Sequence, residues 1–151
     1  MLAKQLSTMH GISPRPFEWS DMDDLVWNDS LSVGDQTLDG HHKRLFSLCS
    51  ELERGISLDT AAAVIPGVLK ELQHYISYHF SEEESLMEKI NFPFLDDHRD
   101  SHRVIAQCVD DMSANISINS DYLAAGDLAE FLRGWLLHHI EIEDFAYRRF
   151  L

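Results

Sequence analysis

The chain has 151 residues, 44% of them hydrophobic and 25% charged, enough for one globular domain with a real core. Its formal net charge of −14 at pH 7 argues against a nucleic-acid backbone or an anionic membrane surface as partner, since both call for a basic face. No run approaches the ~18 apolar residues of a membrane span, and "MLAKQLSTMHGISPRP" lacks the apolar stretch of a secretory signal, so a cytoplasmic protein is expected.

From Met1 to about Thr37 the chain carries Gly11, Pro14, Pro16 and Gly34 and no sustained period. Residues 1–26 are expected to form an extended arm and residues 27–151 one helical domain, with Trp19 and Trp27 as packing anchors. The first amphipathic segment follows, with Leu38, His42, Leu45, Cys49 and Leu52 on one stripe, and ends at Gly55. A second stripe runs Leu69, Leu72, Ile76, His79, Glu83, Leu86 and Ile90; Pro66 means that this helix either begins there or has disturbed first turns. After "NFP" comes a third, with Phe94, His98, His102, Ile105, Val109, Met112 and Ile116. "SINSD" then supplies a loop and a candidate N-cap in Ser120 or Asp121. The fourth stripe is Leu128, Leu132, Trp135, His139, Ile142 and Ala146. Four such helices with short connections predict an all-α, antiparallel up-down-up-down four-helix bundle. Cys49 and Cys108 fall on apolar-periodic positions with no CxxC spacing, so they read as small core residues rather than a disulfide or a metal pair.

The stripes contain the wrong residues. Each is interrupted by histidine and the second also by glutamate: His42, His79, Glu83, His98, His102 and His139. A lone histidine on an apolar face is usually a core residue satisfied by one hydrogen bond. Six polar side chains on four converging faces are a different matter, because each buried without a partner costs ~2 kcal/mol or more. Imidazole nitrogens and carboxylate oxygens converging from separate helices suit a transition metal. His79/Glu83 and His98/His102 are four apart, so each pair projects from one helix face one turn apart. Six candidates with no cysteine exceed what zinc usually takes, and two carboxylate-bridged ions fit better. The ferritin-like arrangement needs two ExxH motifs, whereas only Glu71–His74 is present and His74 is off the stripe.

The ordered set "WNDSLSVGDQTLDGHHKRLF", "YHFSEEESLM", "HRDSH" and "WLLHHIEIED" resembles the hemerythrins, in particular the bacterial ones, over roughly residues 27–147. The resemblance implies a non-haem, oxo- or hydroxo-bridged pair of iron ions. His98, His102 and His139 would bind one iron, His42 and His79 the other, and Glu83 and Asp144 would bridge them. Helical spacing alone selects Glu143, four after His139, because a fifth step lies ~140° round the helix. The family pattern selects Asp144, entering from the edge of the stripe. The family usually carries glutamine or a similar residue where His41 stands; His41 and His138 are off the stripes and are expected to face solvent or back up the ligands.

The resemblance further implies an open position on the iron held by His42 and His79, which would accept O2, with Phe80, Trp135, Leu136 and Ile140 as an apolar wall. The same four residues also read as plain core packing. Neutral imidazoles donate less charge than carboxylates, which favours reversible O2 binding over oxygenase chemistry. The expected function is therefore O2 carriage, storage or delivery, in company with a redox or oxygen-consuming partner protein, rather than enzymatic turnover. The alternatives are an O2- or redox-sensing module and a ferroxidase- or peroxidase-like di-iron enzyme.

Overall fold

Asp35 starts the first helix. Its Oδ1 accepts from the Leu38 amide at 2.9 Å, while Asp39 reaches back to accept from the Val33 amide at 2.9 Å and the Ser32 hydroxyl at 2.6 Å. This exchange satisfies one amide that the first turn leaves free, that of Leu38, and ties the incoming Val33 amide to the helix, which fixes the direction in which the chain arrives. The computed structural model describes residues 25–56 and 60–151. The arm expected over residues 1–26, with Trp19, lies outside them except for Leu25 and Val26. Helix α1 spans Gln36–Ile56, α2 Ala61–Lys89, α3 Leu95–Asn119 and α4 Ala124–His138. One turn of π-helix, His139–Asp144, joins α4 to the short α5, Phe145–Arg148.

α1 packs on α2 and α4, α2 on α3, and α3 on α4, which closes a ring of sequence neighbours. This is the four-helix bundle that the stripes predict. Leu45, Leu48, Leu52, Ile65, Leu72, Ile76, Ile116, Leu128 and Leu132 are almost wholly buried and form the long apolar part of the core. Leu31, Val33, Met87, Phe92 and Tyr147 close the end where α1 and α3 begin. Burying side chains of this size stabilises by roughly 1.5–3 kcal/mol each before entropy is counted. Among the described residues no helix is long and apolar enough to cross a membrane.

Several details differ from the periodic reading. Helix α2 begins at Ala61 and continues past Pro66; both Ala62, whose carbonyl loses its partner, and Pro66 are exposed, so solvent can satisfy that carbonyl. Phe94 is 55% exposed because it precedes α3 instead of extending its stripe. Ser120 closes α3 in a left-handed conformation, while Asp121 Oδ1 accepts from the Ala124 amide at 3.2 Å, so only the aspartate serves α4. Trp27 is half-buried, edge-on to Phe46 and stacked on His42 with ring centres 6.2 Å apart. Cys49 is buried, Cys108 partly so, and both are free; burial pushes the Cys49 thiol up to about 12.

The last stripe fails beyond His139. Ile142 is 61% exposed and Ala146 is exposed, whereas Asp144 and Tyr147 are fully buried. The π-turn is the cause. It takes one residue more than an α-turn, as the Phe145 amide bonding to the Ile140 carbonyl five residues back records, and everything after it is rotated by one position.

Candidate metal centre

All seven predicted donors stand at one level of the bundle and are buried: His42 from α1, His79 and Glu83 from α2, His98 and His102 from α3, His139 and Asp144 from the π-turn. Their atoms fall into two overlapping groups. Glu83, His98, His102 and His139 offer atoms within 4.8 Å of one another, and so do His42, His79, Glu83 and Asp144. Glu83 Oε2 is 3.3 Å from His98 Nε2, 3.1 Å from His102 Nε2, 3.3 Å from His139 Nε2 and 3.9 Å from His79 Nε2. Asp144 spans both groups: Oδ1 is 3.0 Å from His139 Nε2, and Oδ2 is 3.1 Å from His42 Nε2.

The π-turn answers which acid of "EIED" enters the centre. On a regular helix a residue five after His139 would point well away from it. The wider turn brings Asp144 under His139 and leaves Glu143 one position to the side. There Glu143 Oε2 bonds His139 Nδ1 at 2.6 Å, with a further hydrogen bond from Ser101 Oγ at 2.8 Å. The oblique approach expected of Asp144 is thus replaced by a change of helical register.

Proximity here is not the same as hydrogen bonding. His42 Nε2, His79 Nε2, His102 Nε2 and both Asp144 oxygens are fully enclosed and have no hydrogen bond of acceptable direction, despite the short separations. Each such group would cost ~1–3 kcal/mol. Five such atoms on four side chains in one spot are far more than packing explains, and the donor set of imidazoles and carboxylates without thiolate suits an iron-like ion. The residues present therefore fit a metal centre with two overlapping positions.

The outer atoms of the ligand rings are also engaged. His102 Nδ1 bonds Glu84 Oε1 at 2.8 Å, and His79 Nδ1 lies 3.5 Å from His41 Nδ1. Tyr147 donates its hydroxyl to Glu83 Oε1 at 2.7 Å, and its own ionisation is pushed up by burial and then by the charges of Glu83 and Asp144. Helical periodicity left Tyr147 and Glu84 unremarked. The signal for Glu84 was its place in the acid run directly after Glu83; Tyr147 had none without knowledge of the π-turn. His41, expected off the stripe, is buried behind His79, while His138 is exposed.

Of the four residues expected to form an apolar wall, Phe80, Leu136 and Ile140 are buried and Trp135 is half-buried. Phe80 stacks on His102 with ring centres 3.7 Å apart, and Trp135 stacks on His139 at 5.1 Å. These two rings thus lie against the three-imidazole group.

Electrostatics divide three of the imidazoles. Burial opposes charge on His79, His98 and His139, and at His79 it prevails, holding the ring well below its usual range. At His98 the facing carboxylates of Asp144 and Glu83 outweigh burial and lift it to about 9. His139 is raised for the same reasons, with Asp144 the strongest of its attractions. Burial likewise opposes the Glu83 charge, but His79, His102, His139 and His98 around it keep it well below the carboxylate range.

The protons on His98 and His139 occupy nitrogens that a metal would need, so metal uptake should release protons. After treatment with chelator, the stability that His98 contributes is fully present below pH 6.5 and is lost as the pH rises through about 9. Melting followed by circular dichroism should therefore show the stripped protein several degrees less stable at pH 9 than at pH 6.5. The metal-loaded protein should lack this loss over the same window.

The comparisons agree with the geometry. The family model described as the hemerythrin HHE cation binding domain matches residues 33–151. The chain is 32% identical over 123 residues to a bacteriohemerythrin of Stenotrophomonas maltophilia, covering 82% of this chain and 78% of that protein. It is 30% identical over 136 residues to a hemerythrin-like protein of Naegleria gruberi, covering 89% and 93%. A myohemerythrin of Riftia pachyptila is 31% identical over 123 residues, covering 82% and 90%. With a matching family model over most of its length and a donor cluster that fits a metal, the chain belongs to the hemerythrin family.

Proposed function

We propose that the chain binds O2 reversibly at a di-iron centre, with His98, His102 and His139 on one ion, His42 and His79 on the other, and Glu83 and Asp144 shared. The observation that carries this is Asp144: its two oxygens face different imidazole groups from a fully buried position, as a bridging carboxylate requires. When bound, the iron pair supplies the electrons for O2 capture. The protein's part is to hold and to exclude. Three helices and the π-turn supply the imidazoles, so their packing sets where the donors stand. His42 and His79 are two donors where the other side has three, which leaves their side short of protein ligands and open to an external one.

Leu136 and Ile140, both fully buried, and Phe80, stacked on His102, keep water from the donors. Excluding water would also keep stray protons from the site. Carriage or storage follows from binding without turnover, with a redox or oxygen-consuming protein as the partner that would draw on it.

The test is metal analysis followed by optical spectra, first without air and then in it. The expected result is iron near two per chain and a visible charge-transfer band that appears with O2 and vanishes when O2 is removed. Rapid bleaching with continued O2 consumption would instead make the protein a di-iron oxidase. Leu136→Ala should retain iron, lose ~2–5 kcal/mol of stability as a core truncation, and oxidise faster in air, read as decay of the O2-dependent band. A decay rate equal to wild type would remove Leu136 from the wall.

A further inference from the structure

Three of the five ligand imidazoles use their second nitrogen in the same way. His102 Nδ1 meets Glu84, His139 Nδ1 meets Glu143, and His79 Nδ1 meets His41, at 2.8, 2.6 and 3.5 Å. His42 Nδ1, by contrast, meets no hydrogen-bond partner among the described residues. A ligating histidine that donates its outer N–H to an acceptor has its tautomer and ring plane fixed, and the partner is worth 10–100-fold in metal affinity. His41 is the unusual acceptor in this set. It is a second imidazole where the three-imidazole side uses carboxylates, and it is 7% exposed on a helix face outside the apolar stripe. Tyr75 and Tyr78 enclose its ring, with centres 5.9 and 5.0 Å away, so it cannot easily swing elsewhere.

We infer that His41 is the positioning residue for His79, accepting the Nδ1 proton of His79 so that Nε2 stays committed to the centre. This rests on the reading of the cluster as a two-ion site. The proton of neutral His41 then sits on its own Nε2, and no net charge is added behind His79. Glu84 and Glu143 push negative charge toward His102 and His139, whereas His41 pushes none toward His79. The two halves of the centre are thereby made electronically unequal: the three-imidazole side is the stronger donor, and the two-imidazole side, where an external ligand would bind, is the weaker.

Two substitutions separate this role from packing. His41→Phe keeps an aromatic ring between Tyr75 and Tyr78 but has no acceptor; His41→Gln is smaller but keeps one. Chelator-stripped full-length protein would be titrated with Zn²⁺ against a competing chelator, and the His79 ring tautomer read by long-range ¹H–¹⁵N NMR of the zinc-loaded form. His41→Phe should lower the affinity of the weaker zinc position 10–100-fold and change the His79 ring signature, while His41→Gln should restore both. The inference is overturned if the Phe variant matches wild type in affinity and tautomer, or if the Gln variant is as impaired as the Phe variant. A wild-type chain that takes up no zinc and no iron overturns the two-ion reading itself and this inference with it. Wild-type uptake of two ions with unchanged variants sinks the role of His41 alone.

Discussion

Glu83→Ala should empty both halves of the centre at once: metal per chain should fall from near two to well below one, and the protein should melt roughly 10 °C lower. The reason is that Glu83 Oε2 stands within 3.3 Å of three imidazoles and 3.9 Å of a fourth, so it belongs to both donor groups. Removing it also strands Tyr147, whose buried hydroxyl donates to Glu83 Oε1, and leaves the protons of His98 and His139 facing fewer anions. Breaking a buried charge network by deleting one member costs ~3–5 kcal/mol. Metal binding is folding free energy in a site assembled from separate helices, so the two losses should appear together. Glu83→Gln is the informative companion. It keeps the volume and an acceptor for Tyr147 but no charge, so it should fold better than Glu83→Ala while still failing to hold two ions. Full metal content in Glu83→Ala, measured by elemental analysis, would show that the shared position is not Glu83.

That Glu83 could be singled out from the sequence follows from how regular the helices are around it. Between Leu69 and Glu83 the 3–4 spacing is undisturbed, and every residue on that stripe is buried. The same holds from Leu38 to Leu52 on α1 and from His98 to His102 on α3. In such stretches the period alone decides which side of the helix faces inward, and a polar residue in phase with leucines is conspicuous. Legibility ended where the backbone stopped being α-helical. Phe94 was misplaced because the chain reaches α3 through a turn, with Asn91 at a φ of 53°. Ile142 and Ala146 were misplaced because the π-turn adds a residue that no side-chain pattern announces. The identity of Asp144 therefore came from the family resemblance, and only the backbone explains it. His41 was legible only in part. Its off-stripe position left two outcomes, solvent or a place behind the ligands, and the ring takes the second, lying back against α2 between Tyr78 and His79.

Deleting Gly134 should destroy the centre, whereas deleting Ile142, eight residues further on, should preserve it. Gly134 lies exposed in the regular part of α4, and its loss rotates all that follows by ~100° and draws it in by ~1.5 Å. His139, Asp144 and Tyr147 would then leave the interior together, with metal content near zero and a molten or aggregated product. Ile142 lies in the π-turn, and its side chain is 61% exposed. Its loss puts Asp144 four residues after His139, the spacing that keeps two side chains on one face of an ordinary α-helix. The wide turn would relax to an α-turn, Asp144 would stay beneath His139, and Tyr147 would stay in reach of Glu83. Metal content should remain near two per chain, and the changed geometry should show as a shifted visible band rather than a lost one. The contrast between the two deletions is what matters, since both shorten the same segment by one exposed residue. Equal loss of metal from both would mean that the π-turn is not what carries Asp144 inward, and that some other constraint selects it over Glu143.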